Sequence, residues 1–241
     1  MVNFLILLVL HFIADFYLQT SKMAKCKNAN VGEGCDSCSS CRKNALFNNK
    51  YLVFHTLLYA VPFLLLFFMT KWTRALIIIA ILLVSHYVVD IVSCCLNKKL
   101  QQTLVFIADQ FLHIAILFGA YNLFDFSAKF EKYELAIKII FSILFLIVPV
   151  SVFINKLFYD LYPNSIQGKI FDVGSIIGML ERALVFIFSC FGDFAAIAII
   201  ITIKTWARSN DLKDTEFRNK YLLGTLASLV VALIAFLIYR L

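Results

Sequence analysis

The sequence predicts an all-α polytopic membrane protein, a bundle of about eight transmembrane helices. Hydrophobic residues make up 62% of the 241-residue chain and charged residues 15%, with a mean hydropathy of +0.87. Soluble domains carry roughly 45–50% apolar and about 25% charged residues. Glycine and proline are scarce, at 8 and 3 copies, as uninterrupted helices require. This composition excludes a soluble enzyme, a disordered chain and a disulfide-rich secreted module.

Eight apolar segments are candidates for spanning helices, which need about 17–25 predominantly apolar residues. In chain order they are Val2–Gln19, Tyr51–Met69, Ala75–Leu96, Thr103–Leu123, Leu135–Asn155, Val173–Phe191, Phe194–Ala207 and Tyr221–Tyr239. The seventh is short and fits a half-span. The first is not expected to be a signal peptide, because it lacks a basic start and an A-x-A cleavage pattern and contains two ionisable residues.

The distribution of basic residues predicts the orientation of the chain. Of the 22 Lys and Arg residues, 15 fall in the odd-numbered loops and 6 on the opposite side, and Arg182 lies within a span. Because cytoplasmic loops hold the excess of positive charge, we expect a plasma (inner) membrane protein with both termini outside. The basic surplus then faces membrane lipids and requires no nucleic-acid partner. The expected organisation is two four-helix halves, 1–124 and 125–241, with a cysteine-rich cytoplasmic loop over 20–50.

All four histidines of the chain lie in the first four predicted spans, and three of them have an aspartate four residues away. The pairs are His11 with Asp15, His86 with Asp90, and His113 with Asp109, and the fourth histidine is His55. A spacing of four puts both side chains on one helix face. The order is reversed only on the fourth span, which runs in the opposite direction to the first and third. All three aspartates are therefore expected nearer the cytoplasm, one turn from their histidines.

This pattern predicts a metal site inside the membrane. Ionisable side chains in hydrocarbon are costly and usually mark a pathway or a site. Imidazole nitrogen and carboxylate oxygen suit Zn²⁺, and also Mn²⁺ or Fe²⁺. Seven possible ligands exceed what one tetrahedral ion takes, so either some aspartates orient ligands or act as a base, or two ions are bound. The alternative is that each pair only caps or packs its helix.

Several of these segments resemble the motifs of domain-of-unknown-function family 3307, an uncharacterised family of bacterial membrane proteins. The segments are His11-Phe-Ile-Ala-Asp15-Phe-Tyr-Leu-Gln19-Thr20, His86-Tyr-Val-Val-Asp90 and Asp109-Gln110-Phe-Leu-His113. In the second half, Gly174-Ser-Ile-Ile-Gly178-Met-Leu-Glu181-Arg182, Lys204, Arg208, Leu223-Gly224-Thr225 and Ser228 are similar to its companion motifs. The resemblance implies a membrane protein but no activity. The long cysteine-bearing first loop departs from the family pattern.

The first loop contains four cysteines with the spacing C-x8-C-x2-C-x2-C. They are Cys26, Cys35, Cys38 and Cys41. In a reducing cytoplasm, clustered cysteines more often hold Zn²⁺ than form disulfides. We therefore expect a second, structural zinc in this loop. An iron–sulfur centre and unligated thiols are the alternatives.

The second half of the chain offers a small-residue face and four charged residues. Gly174 and Gly178 form a G-x3-G face that permits close helix packing, either within the chain or in a homodimer. Neighbouring residues on a helix diverge by about 100°, so Glu181 and Arg182 each need a partner elsewhere. We expect either a structural network or substrate binding. Lys204 and Arg208 are expected to anchor to headgroups or to bind a substrate phosphate.

Taken together, the sequence favours a metal-dependent hydrolase of a lipid or another amphiphile. A bound metal ion activates water, and one of Asp15, Asp90 and Asp109 is expected to act as the general base. The alternatives are a metal-ion or proton-coupled transporter and a non-catalytic scaffold with a structural metal. A transporter should keep polar groups along a path to the outer face. The outer halves of the first four spans have almost none, which favours the hydrolase or the scaffold.

Overall fold

The fold is described by a computed structural model that covers residues 1–20, 23–24, 50–97, 99–162 and 172–240. These residues form helices and no strand, as the sequence predicted. The four cysteines of the predicted loop zinc site, Cys26, Cys35, Cys38 and Cys41, lie outside the described residues. The chain divides into two compact units, Met1–Ile137 and Lys138–Leu241.

Among the described residues, the main elements of the first unit are five α-helices and a π-helical turn. Its α-helices are α1 (Val2–Phe12), α2 (Lys50–Phe63), α3 (Leu66–Met69), α4 (Trp72–Leu96) and α5 (Gln102–Leu123). The π-helical turn, Ile13–Tyr17, directly extends α1. Pro62 lies in the last turn of α2, and the chain turns at residues 64–65 before α3 begins. At this turn the backbone forms tighter hydrogen bonds over three residues, from Leu64 N–H to Val61 O and from Leu65 N–H to Pro62 O, both at 3.2 Å. A 3₁₀ turn, Ala128–Tyr133, closes the unit.

The described part of the second unit contains four α-helices, the first of which begins in the first unit. They are α6 (Glu134–Leu161), α7 (Val173–Phe191), α8 (Phe194–Ala207) and α9 (Thr215–Arg240). Local signals set the ends of α7 and α8: the carboxylates of Asp172 and Asp193 accept hydrogen bonds from the first-turn N–H groups of Ser175 and Ala196. Gly192, with φ of 73°, ends α7 in the left-handed conformation that glycine adopts most easily.

Six helices of the described chain are long and apolar enough to cross a membrane. They are Lys50–Met69, Trp72–Leu96, Gln102–Leu123, Lys129–Leu161, Val173–Phe191 and Thr215–Arg240. The first and seventh predicted spans are also helical, but Val2–Tyr17 and Phe194–Ala207 are shorter. At about 1.5 Å per residue their lengths are roughly 24 and 21 Å, below the hydrocarbon thickness of about 30 Å. The predicted count of eight spans is therefore not confirmed, whereas a membrane protein with six possible spans is supported.

Each unit buries a few polar side chains within a mainly apolar core and also exposes large apolar side chains on its outside. Phe111, Trp206 and Phe191 are 69%, 77% and 81% exposed, while His86 and Arg182 are 0% and 3% exposed. In water, exposed apolar faces of this extent are unusual. In a bilayer they face lipid, because lipid tails are as apolar as these side chains. The arrangement fits the membrane location that the apolar helices indicate.

Candidate metal centre

Four imidazole rings, one from each of α1, α2, α4 and α5, meet inside the first unit. Ring centroids are 5.3 Å apart between His11 and His113, 4.6 Å between His86 and His113, and 5.1 Å between His55 and His86. None of the four side chains is more than 3% exposed. The helices that carry the predicted His and Asp residues therefore turn those residues towards one shared interior.

Asp15 contacts a histidine of another helix. It lies in the π-helical turn, where Leu18 N–H donates to Ile13 O over five residues, at 3.0 Å. A π turn inserts an extra residue compared with an α turn, which rotates Asp15 away from the register of His11. Asp15 Oδ1 lies 3.2 Å from His55 Nε2 on α2. The spacing of four residues therefore predicted correctly that Asp15 faces the interior. It did not predict which histidine Asp15 contacts.

Two nitrogens and two oxygens form a compact buried group. They are His55 Nε2, His86 Nε2, Asp15 Oδ1 and Asp90 Oδ2. The two nitrogens are 3.1 Å apart, and Asp90 Oδ2 lies 3.6 Å from His55 Nε2 and 3.5 Å from His86 Nε2. Asp15 Oδ1 lies 3.2 Å from His55 Nε2 and 4.0 Å from His86 Nε2.

These distances resemble the edges of a metal coordination polyhedron. Ligands bound at about 2.0–2.1 Å to a tetrahedral ion lie about 3.3–3.4 Å from one another. The five distances, 3.1 to 4.0 Å, bracket that value. Two N–H groups cannot face each other at 3.1 Å, so the facing nitrogens of His55 and His86 must share one proton or one cation. The geometry thus suits a small divalent ion without a large rearrangement.

A second group of possible ligands shares two residues with the first. It consists of His86, Asp90 and His113, whose ligand atoms lie within 4.8 Å of one another. His113 Nδ1 donates to the backbone carbonyl of Asp109 at 2.9 Å, so a neutral imidazole keeps its lone pair on Nε2. That nitrogen is buried and has no hydrogen-bond partner among the described residues. Metal-binding histidines are commonly oriented in this way: one ring nitrogen is held by a hydrogen bond and the other is left to bind the metal.

His11 has a different environment, because both of its ring nitrogens are already hydrogen-bonded. Its Nε2 lies 3.2 Å from Gln110 Oε1, and its Nδ1 lies 2.9 Å from the hydroxyl of Tyr59. The Gln110 oxygen only accepts, so His11 Nε2 carries the proton and Nδ1 accepts from Tyr59. His11 and Asp109 belong to neither of the two groups. They surround the possible ligands instead of joining them.

Three polar residues that the sequence did not single out as site residues connect this cluster. Gln110 donates from Nε2 to Asp15 Oδ2 at 3.0 Å and to Asp109 Oδ2 at 3.1 Å. Ser93 donates to Asp109 Oδ1 at 2.6 Å. The Tyr59 ring stacks on His86 with centroids 3.8 Å apart. Tyr59 follows His55 by four residues, so the spacing rule used for the His/Asp pairs would have found it.

The remaining predicted residues lie in the second unit. Lys204 donates to Glu181 Oε2, and the guanidinium of Arg182 is buried among neutral acceptors. Arg208 pairs with Asp211 at 3.2 Å near the end of α8, with both side chains about half exposed. A Cβ atom on Gly178 would lie 3.3 Å from Arg182 Nη1, so Gly178 makes room for that guanidinium. A homodimer through Gly174 and Gly178 stays a prediction.

Comparison with known proteins gives one family match. The model of the family described as "Protein of unknown function (DUF3307)" matches residues 3–34 and 35–139. These ranges contain all four histidines and the three aspartates discussed above, whereas the resembling motifs of the second half lie beyond them. No curated protein and no solved structure matches the chain.

Proposed function

The chain belongs to the DUF3307 family of proteins of unknown function, and we propose that it is a membrane protein that binds a divalent metal ion between its first four major helices. The observation that carries this proposal is the group of Nε2 and carboxylate oxygen atoms spaced like the ligands of one ion. Mixed nitrogen and oxygen ligands favour Zn²⁺, with Mn²⁺ and Fe²⁺ as alternatives.

His55, His86 and Asp15 are the proposed ligands, one each from α2, α4 and the π turn after α1. All three are buried, and their ligand atoms lie within 4.8 Å of one another. A buried carboxylate is costly without a counter-charge, and a divalent cation supplies one. Gln110 holds the second oxygen of Asp15, which leaves Oδ1 directed at the histidines.

We propose that the metal supports hydrolysis of a lipid or another amphiphilic substrate. A bound metal ion polarises a scissile group and turns a bound water into a nucleophile at neutral pH. We propose Asp90 as the base that would take a proton from that water, since its Oδ2 lies 3.6 and 3.5 Å from His55 and His86 Nε2. Three protein ligands with one open position and a nearby base are the usual design of a catalytic zinc site. The apolar outer faces favour substrates that partition into the bilayer.

A structural ion is the second candidate, and the burial of the site favours it. His55, His86 and Asp90 are 0%, 0% and 2% exposed, so substrate reaches the site only after local opening. If Asp90 completes a four-ligand shell, the site is closed, as structural zinc sites are. The role of Asp90 therefore separates the two functions.

Asp90→Asn tests that role because the amide keeps the size of the side chain and removes its charge. The purified full-length protein would be loaded with Zn²⁺ and incubated with a total lipid extract in ¹⁸O-labelled water. For the hydrolase we expect the variant to keep its metal content while incorporation of ¹⁸O into lipid products falls at least about 100-fold, the usual contribution of a general base.

Asp193→Asn is the matched control, because Asp193 is an exposed cap of α8 in the second unit and asparagine caps equally well. Its metal content and labelling should equal those of the wild type. Loss of the metal in Asp90→Asn would make Asp90 a ligand and favour the structural ion. Equal labelling by the wild type and Asp90→Asn would contradict the hydrolase.

A further inference from the structure

The side-chain amide of Gln110 joins three polar groups inside the first unit. Its Nε2 donates to Asp15 Oδ2 at 3.0 Å and to Asp109 Oδ2 at 3.1 Å, and its Oε1 lies 3.2 Å from His11 Nε2. An amide has two N–H donors and one acceptor oxygen. Both hydrogens and the oxygen of Gln110 are therefore in use, and one of the acceptors belongs to a proposed metal ligand.

The orientation of this amide is fixed by its partners. Ionised carboxylates only accept hydrogen bonds, so the reverse orientation would turn Gln110 Oε1 towards two acceptors. The Tyr59 hydroxyl lies 2.9 Å from His11 Nδ1 and donates there, which leaves the proton of His11 on Nε2, opposite Oε1. Ser93 holds the other oxygen of Asp109 at 2.6 Å. A rotation of the amide would break all three of its hydrogen bonds.

Gln110 thereby divides the work of the two Asp15 oxygens. Oδ1 lies 3.2 Å from His55 Nε2, whereas Oδ2 accepts from Gln110. Carboxylates bind metal ions through one oxygen or through both. With Oδ2 held by the amide, Asp15 offers one oxygen to an ion. Together with His55 and His86 it then supplies three single-atom ligands, which match the low coordination number of Zn²⁺.

We propose that Gln110 determines which ion is bound, by holding Asp15 to ligation through a single oxygen. This role depends on the metal site proposed above, and Gln110 itself does not bind the ion. Mn²⁺ prefers six ligands that are rich in oxygen, so it gains when the second oxygen of Asp15 becomes available. Zn²⁺ instead loses an oriented ligand. Gln110 is thus a positioning residue that favours zinc over manganese.

Gln110→Met tests this role, because methionine is close to glutamine in size but neither donates to Asp15 nor accepts from His11. The matched control is Gln101→Met, which makes the same change at an exposed residue just before α5 whose side chain forms no cap hydrogen bond. Every chain is full length, and serine replaces the loop cysteines so that only the membrane site is measured. Competition with a chelating dye gives the Kd for Zn²⁺ and for Mn²⁺.

We expect Gln110→Met to weaken zinc binding about 10–100-fold, the usual effect of removing a partner that orients a metal ligand. Manganese binding should weaken less, so that the ratio of zinc to manganese affinity falls about tenfold. Co²⁺ bound in place of zinc gives a second measurement, since its visible absorption is strong with four ligands and weak with six. At equal bound cobalt, the bands of Gln110→Met should be weaker than those of the wild type and of Gln101→Met.

Gln110→Asn is a second variant that keeps a polar amide in the site. Its side chain is one methylene shorter and does not span the distance to Asp15, so the same two changes are expected. An unchanged affinity ratio, an unchanged cobalt spectrum, or loss of both ions from both variants would make Gln110 a structural residue only and overturn its proposed role. A wild-type chain that binds neither ion would instead overturn the metal site itself.

Discussion

At the scale of single residues, the four histidines have distinct chemical environments. His55 and His86 face each other through their Nε2 atoms, and His113 keeps a buried Nε2 without a partner among the described residues. His11 uses both nitrogens in hydrogen bonds to Gln110 and Tyr59. A sequence pattern treats all four alike, because residue type and spacing do not reveal which nitrogen is occupied.

Tyr59→Phe tests whether His11 lies outside the ligand set. The substitution removes only the hydroxyl that donates to His11 and keeps the ring stacked on His86. We expect unchanged metal content and a loss of about 1–2 kcal/mol in stability, since a buried hydrogen bond is broken. Metal analysis together with the thermal unfolding midpoint measures both effects. Loss of metal from this variant would place His11 among the ligands.

At the scale of helices, proline and arginine act together in the second unit. Pro149 lies inside α6 and offers no N–H to the carbonyl four residues earlier. Arg182 from α7 donates to the next carbonyl, Leu146 O. Donors from a neighbouring helix are how membrane proteins tolerate proline inside a helix. Arg182 is thus a structural donor to α6 beside Pro149.

Helix α8 is too short for a full span by length, yet it runs back along α7. The ion pair of Lys204 with Glu181 sets the two helices antiparallel over about ten residues. We expect the loop after α8 to reach the cytoplasmic side, as the basic residues predict. To test this, all native cysteines would be replaced by serine, and a single cysteine would be introduced by Lys129→Cys or by Asn210→Cys. Each variant would be treated with a membrane-impermeant maleimide in intact cells.

We expect the cysteine at position 129 to be labelled and the cysteine at position 210 to stay unlabelled. Permeabilised cells are the control, because both positions should react there. Labelling at both positions in intact cells would mean that α8 turns back without crossing. The same result would contradict the predicted orientation of the second unit.

The fold was predictable from the sequence to the extent that hydropathy determines it. The segment Val173–Phe191 is helical over its predicted length, and Tyr221–Tyr239 lies inside the longer helix Thr215–Arg240. Hydropathy does not report backbone hydrogen bonding, so it missed the π turn that carries Asp15. It also overestimated the first span, where the helical chain ends at Tyr17.

The candidate site was predictable only in part, for a similar reason. Spacing placed each His/Asp pair on one face, and the structure brings those faces together. The contacts that distinguish the residues join distant segments: His11 to Tyr59 over 48 residues, and His11 to Gln110 over 99. No local pattern encodes such pairs. For the second unit, the sequence named Arg182 and Lys204, and its resembling motifs include Thr225 and Ser228, but no pattern predicted the hydrogen bonds that join them.

At the scale of the whole molecule, the family match covers the unit that carries the proposed metal site. The family match ends at residue 139 and the first unit ends at Ile137, so the matched region is the unit with the His/Asp cluster. A divalent ion in the first unit is the central claim, and the cysteines of the loop over 20–50 are the other metal ligands that the sequence predicts.

Metal content per chain, measured by elemental analysis in a background without those cysteines, tests this claim most directly. The background carries serine in place of Cys26, Cys35, Cys38 and Cys41. We predict that this chain still binds about one zinc ion, because two imidazoles and a carboxylate suffice for tight binding. Adding His55→Ala and His86→Ala should remove the ion and leave the helices assembled. An ion that disappears with the cysteines alone, or that survives loss of both histidines, would contradict the account.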